Sequence, residues 1–201
     1  ITHVRQRTGT YAGSTELQIS SEWVYDPATK KMVKQEITYV PALVKIFSEI
    51  LDNAIDEHKR APKILDVIRV DFEESGEISV LDNGRGIPVE VHAQTGKYVA
   101  ETVFSNLRSG SNFNDAEDQQ TIGTNGVGSV LTNILSTSFK IESCDGKKVF
   151  SQIFTNGMRE RGEPKIKPDT KNRTKITFTP DYAFFKLTKL DSGNALRMAK
   201  K

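Results

Sequence analysis

The sequence predicts a single α/β domain, and three observations carry that prediction. The segment 41–59 places apolar residues at 43, 44, 47, 50, 51, 54 and 55, a helical period with Pro41 in the first turn. Several shorter runs alternate apolar and polar residues between turn formers, as strands do. At 201 residues the chain is long enough for one hydrophobic core and short for two average domains.

The elements follow in order. Residues 5–15 are polar and punctuated by Gly9 and Gly13. The β-rich runs 16–25 and 32–39 flank Asp26-Pro27-Ala28-Thr29-Lys30, a hairpin signal. After the helix over 41–59, the runs 67–72 and 77–81 enclose Glu73-Glu74-Ser75-Gly76. That reads as strand, turn, strand, and leaves Asp82 at a strand end. Residues 97–107 read as a helix. Residues 108–122 are rich in Ser, Gly, Asn, Asp and Gln with hardly an apolar residue, which makes them a loop and a candidate lid. A helix over 126–137 leads into strands at 138–144, 148–154 and 173–179, and the last twenty residues carry a mixed helical pattern. No internal repeat or low-complexity tract is present.

Composition narrows the class. A hydrophobic share of 36% with 27% charged residues is that of a globular protein, and no apolar run suffices for a bilayer span or a signal peptide. A cytoplasmic location is expected, with no membrane partner. One cysteine, Cys144, excludes an internal disulfide, and His3, His58 and His92 have no metal-ligand spacing, so a metal held by protein ligands alone is not expected. A net charge of +2 is too small to announce a nucleic-acid surface.

Three patches carry chemistry. On the helix over 41–59, Glu49, Asn53 and Asp56 fall within about 60° of one another, opposite Leu43, Phe47, Ile50 and Ala54. A solvated polar face is the plainer reading of such a helix. Asn53 argues for more, because a carboxylate one turn before an amide supplies a base for water beside an oxygen ligand for hydrated Mg²⁺. The second patch is Asp82-Asn83-Gly84-Arg85-Gly86-Ile87. It is readable as a turn, or as an ionised acid at a strand end that accepts an adenine amine while glycines let the backbone approach the base. The third is Gly123-Thr124-Asn125-Gly126-Val127-Gly128, spaced G-x-x-G-x-G. This is not the dinucleotide fingerprint, and Ser129-Val130 lacks the Lys and Ser/Thr of a P-loop. A flexible loop remains open here, beside a glycine loop whose following helix N-terminus suits phosphate oxygens.

Taken together, these residues resemble the ATP-binding domain shared by DNA gyrase, type II topoisomerases, the ninety-kilodalton heat-shock chaperone, histidine kinases and MutL. Within that superfamily they are most similar to type IIA DNA topoisomerases. Arg7-Thr8-Gly9-Thr10-Tyr11-Ala12-Gly13 is similar to the family's Arg-Pro-Gly-Met-Tyr-Ile-Gly. Glu22-Trp23-Val24-Tyr25-Asp26, Tyr39-Val40-Pro41-Ala42-Leu43 and the tail from Thr179-Pro180-Asp181-Tyr182 extend the resemblance over nearly the whole chain. It implies an α+β two-layer sandwich, a mixed, mostly antiparallel sheet with helices on one face, of the Bergerat type.

The resemblance also implies roles. Glu49 is the general base, Asn53 the Mg²⁺ ligand, and Asp82 the reader of the adenine amine, helped by Thr174 through a shared water. Gly84 and Gly86 shape the base pocket. Gly123, Asn125, Gly126, Val127 and Gly128 wrap the phosphates, Ser111 and Asn112 are lid residues reaching ribose and phosphates, and Asp56, Asn83 and Ile87 complete the ATP-binding set. Arg85 and Glu57 are expected as a supporting ion pair or as surface residues.

Several positions depart from the family pattern. Thr8 stands for a usual Pro, Ala12 for Ile, Arg173 for a Gly common before the Thr, and Val130 for the Lys of eukaryotic enzymes. The last favours a phage or other viral source, and then the host cytoplasm. A lysine from a following transducer domain completes the family's site, and the sequence stops at Lys201. Residues 1–201 are therefore expected to be one ATP-binding domain truncated before the transducer. In the whole enzyme ATP would pair two such regions as a homodimer and gate double-stranded DNA. Two rivals are a heat-shock-type chaperone ATPase domain and a non-catalytic nucleotide-sensing dimerisation module. The Trp23 to Tyr25 hairpin and the Tyr11 segment favour topoisomerase over the first, and Glu49 argues against the second.

Overall fold

The computed structural model describes residues 1–26, 28–107, 127–187 and 190. The candidate lid and the phosphate-loop residues up to Gly126 lie outside the described residues, as does most of the C-terminal helical pattern. Two short helices, α1 (Thr2–Gln6) and α2 (Thr8–Tyr11), open the chain. The sequence shows only a polar stretch over much of this region, because the cause is tertiary. Val4 is the buried anchor of α1 and packs with Val130, Leu131 and Ile134, while the Thr8 hydroxyl donates to the Val4 carbonyl at 3.1 Å.

The hairpin expected next is present as β1 (Gln18–Asp26) and β2 (Lys31–Tyr39), with Asp26 opposite Lys31 across the turn. The Asp26 carboxylate caps that turn by accepting from Ala28 N–H at 3.1 Å and Thr29 Oγ1 at 2.7 Å. The long helix α3 (Pro41–Arg60) matches its sequence pattern within one residue. It buries Leu43, Ile46, Phe47, Ile50 and Ala54, and His58, Lys59 and Arg60 in its last turn suit the negative end of its dipole. A second hairpin, β3 (Ile68–Phe72) and β4 (Ile78–Asp82), turns through Gly76 at φ +87°.

Two helices are shorter than their patterns. The helix α4 (Val99–Ser105) starts after Tyr98, whose extended backbone bridges to Val91. The helix α5 (Gly128–Ile134) ends early because Ser136 already belongs to β5 (Ser136–Cys144), paired with Pro180. Sheet pairing overrides local helical preference there. The strands β6 (Lys148–Thr155), β7 (Glu160–Arg161), β8 (Lys165–Pro168) and β9 (Arg173–Pro180) complete the chain.

The main sheet runs β3-β4-β9-β5-β6-β7, with β8 also on β6, and every pairing among the described residues is antiparallel. Inserting β9 between β4 and β5 aligns rows of side chains on one face. Ile78, Phe178 and Phe139 form one row and Val80, Ile176 and Ile141 the next, all buried against Leu43, Phe47 and Ile50 of α3. This is the core of a two-layer α/β sandwich. The following row is Asp82, Thr174 and Ser143. On the helix-facing side, then, the sheet turns from apolar to polar at the strand end where the sequence places its acid.

Candidate active site

Asp82 is 6% exposed, the last residue of β4 and directly opposite Thr174. Its Oδ1 accepts from Gly84 N–H at 2.9 Å. Burial pushes its carboxyl up to about 6, with Glu57 adding to the rise and the N–H groups of Gly84 and Thr174 opposing it. A desolvated carboxylate with spare acceptor capacity is equipped to receive an amine.

The loop after Asp82 is pinned from several sides. Glu57 of α3 takes Arg85 in a fork, Nε to Oε1 at 2.7 Å and Nη2 to Oε2 at 2.9 Å, so the expected ion pair forms and holds the Glu57 carboxyl below the usual range. Ile87 N–H donates to Ser143 Oγ at 2.7 Å, Val89 N–H to Asp145 at 3.1 Å, and Asn172 Nδ2 to the Arg85 carbonyl at 2.7 Å. Gly84 has no room for a side chain, since a Cβ there would lie 2.8 Å from Asp82 Oδ1 and 2.7 Å from Glu57 Cγ. Gly86, at φ +74°, passes so close to β5 that a Cβ would sit 1.9 Å from the Cys144 carbonyl oxygen. Asn83 spends its side chain on the neighbouring loop. It donates to Asp66 at 2.6 Å and accepts from the N–H groups of Asp66 and Val67.

Two turns back along α3, near its middle, the Glu49 carboxylate lies against the start of α5. A Cβ on Gly128 would be 1.6 Å from Glu49 Oε2, so glycine at that position is what admits the acid. Lys45, one turn earlier, forms an ion pair with Glu49. Thr132 Oγ1 donates to the Ile46 carbonyl at 2.9 Å and ties the two helices together. Val127 precedes Gly128 half-buried, and Val130, where the resemblance has a lysine, is instead fully buried with Val4 and Ile134. Asn53 is exposed between Glu49 and Glu57, and Asp56 pairs with Lys59 at 2.9 Å. Asp52, on the same helix, has its carboxyl raised by desolvation and then by the charge of Glu49.

The structure therefore brings together Glu49 with Gly128 and Asp82 with Gly84, Gly86 and Thr174, joined by α3. Ser111, Asn112, Gly123, Asn125 and Gly126 lie outside the described residues. Ser143, Asp145 and Asn172 are not recognisable as loop clamps from local pattern, because each acts across 56 to 87 residues.

Comparison with known proteins decides the family. The profile of histidine kinase-, DNA gyrase B-, and HSP90-like ATPases matches residues 38–183. The chain belongs to that ATPase family. It is 45% identical over 194 residues to the DNA topoisomerase 2 of Penicillium chrysogenum, covering 94% of this chain and 12% of that protein. The ATPase region of Saccharomyces cerevisiae topoisomerase II superposes with a TM-score of 0.86 at 38% identity, over 99% of this chain and 53% of that one. The ATPase and transducer domains of the Balamuthia mandrillaris enzyme give 0.86 at 41% identity, over 98% and 52%. The chain thus spans about an eighth of the curated relative's length and about half of each solved relative. Among the described residues no helix is long and apolar enough to cross a membrane.

Proposed function

We propose that the chain binds ATP with Mg²⁺ and hydrolyses it as the nucleotide-handling part of a type II DNA topoisomerase. The observation that supports this reading is the seating of Glu49 against Gly128 midway along α3 while Glu57, in its last turn, clamps the loop that follows buried Asp82. Eight residues of helix separate the two glutamates by roughly 12 Å. A nucleotide lying along α3 would have its base at Asp82 and its terminal phosphate at Glu49.

In this reading Asp82 accepts the adenine amine, with Thr174 across from it sharing a water. Gly84, Gly86 and Ile87 form the base pocket, Gly123 to Gly128 wrap the phosphates, and Ser111 and Asn112 reach over them. Glu49 orients and deprotonates the attacking water. The donor set fits a hydrated cation. Asn53 offers an exposed amide beside an acidic helix face. Bound there, Mg²⁺ would neutralise phosphate charge. We further propose that a transducer-borne lysine completes the site, that two copies pair on ATP, and that duplex DNA is the partner of the whole enzyme.

Calorimetry with a non-hydrolysable ATP analogue in magnesium buffer should give one site per chain, and no heat from folded material would refute the reading. Glu49→Gln should keep that heat and lower turnover by about 10²-fold or more. Unchanged turnover would remove Glu49 from the role of base. A longer protein carrying the transducer should turn over faster than these 201 residues alone, and equal rates would count against the lysine.

A further inference from the structure

Away from the residues above, two adjoining clefts share Lys97 and Arg161. The larger, about 450 Å³, runs past Tyr98, Glu101 and Gln152. The smaller, about 200 Å³, is lined by Lys97, Ser105, Phe154, Met158, Arg159 and Arg161. Three of these six are cations, and none is an acid.

Their charge is only partly answered. Buried Glu101 receives Arg161 Nη1 at 3.0 Å and Lys97 Nζ at 3.9 Å, so two cations share one carboxylate. Arg159 donates to the Asn156 carbonyl at 3.3 Å and meets no carboxylate among the described residues. The adjacent acid, Glu160, is turned instead to Thr155 Oγ1 at 3.1 Å and Asn156 Nδ2 at 3.2 Å. Ser105 Oγ is buried and has no partner among the described residues. The turn that presents Arg159 is held in an uncommon conformation, with Asn156, Gly157 and Met158 all in the left-handed region at φ 54°, 63° and 64°. Bonds from Asn156 N–H to the Thr137 carbonyl and from Gly157 N–H to the Ser136 carbonyl, both 3.0 Å, fix it beside the cleft.

We propose that the smaller cleft binds a phosphate-class oxyanion, with Arg159 and the Ser105 hydroxyl as its principal donors and Lys97 and Arg161 supplying the surrounding positive field. A guanidinium and a hydroxyl lining one small cleft suit tetrahedral oxygens. The volume lies below the range of about 300 Å³ and upward that holds drug-sized ligands. Free phosphate and a nucleic-acid phosphodiester present the same oxygens, and the test separates them.

The isotopically labelled chain is titrated with inorganic phosphate at constant ionic strength, following the amide resonances of Ser105, Met158 and Arg159 so that binding elsewhere is not counted. Saturating shifts are expected at these three positions. Arg159→Gln, which gives up a single carbonyl hydrogen bond, should weaken binding about tenfold. Lys140→Gln, which removes the same charge from the Lys140–Glu142 pair outside the cleft lining, should leave it within about twofold. Arg161 is left intact because its loss would strand buried Glu101. A parallel titration with a short DNA duplex assigns the source. Arg159-dependent shifts with the duplex support a phosphodiester, and saturation by phosphate alone supports the free anion. No saturating shift with either, or equal weakening by Lys140→Gln, overturns the proposal.

Discussion

At Gly86 an added Cβ would meet a backbone carbonyl at 1.9 Å, and at Gly128 it would meet the tip of a side chain, Glu49 Oε2, at 1.6 Å. The two ends of the site are both closed to larger residues, yet the obstacles differ in kind. The base end is held by β5, by the Glu57–Arg85 fork and by donors or acceptors from Ser143, Asp145 and Asn172. The end where hydrolysis is proposed depends on one carboxylate lodged against a bare backbone, with Lys45 beside it. The proposed base pocket is the rigid region, and a side chain that can be displaced sits where hydrolysis is proposed.

The largest expected effect tests that contrast at its stiff end. Gly86→Ala forces both a left-handed backbone and a carbonyl clash, and should destabilise the fold by about 4 kcal/mol in chemical denaturation. A loss below about 1 kcal/mol would show that the loop yields. Gly128→Ala should do the reverse, with the denaturation midpoint nearly kept while kcat falls about 10²-fold, because Glu49 is pushed aside. If its melting drops as far as that of Gly86→Ala, the two ends are equally rigid and the contrast fails.

Next comes pH. Asp82 has its value raised from 3.8 to about 6, so the folded protein takes up a proton as pH falls through 6. Nucleotide affinity that needs the ionised carboxylate should fall by up to about tenfold per pH unit below that point. Above pH 6 the buried charge costs the fold on the order of 3 kcal/mol, a cost that fades as pH drops toward 4. Asp82→Asn should accordingly weaken nucleotide binding, remove the pH step and raise the melting temperature of the ligand-free protein at pH 8. A lower melting temperature would mean that the ionised acid stabilises the strand end. Arg85→Ala is the smallest effect expected, about 1 kcal/mol, since its side chain is half exposed. A loss several times larger would make the fork a principal support of the base end.

Legibility followed the range of the interactions. The patterns that announced α3, the two hairpins and the strand ending in Asp82 are local, and the structure reproduces them within a residue or two. The acidic helix face carrying Glu49, Asn53 and Asp56 was readable for the same reason. Local pattern failed where a neighbour overruled it. The helix α5 stops short because Ser136 pairs with Pro180, and α1 forms around a single buried valine. Nor could any short window show that Ser143 would hold Ile87, or that Thr174 would face Asp82.

The sequence by itself determined which residues are capable of the chemistry, because helical period, strand alternation and glycine spacing are written within a few residues of each other. Tertiary structure alone decided their mutual placement. Inserting β9 between β4 and β5 set Thr174 across from the acid, and packing α3 against α5 lodged Glu49 at Gly128. Those placements arise from contacts between segments tens of residues apart, whose geometry is fixed only when the core between them is buried.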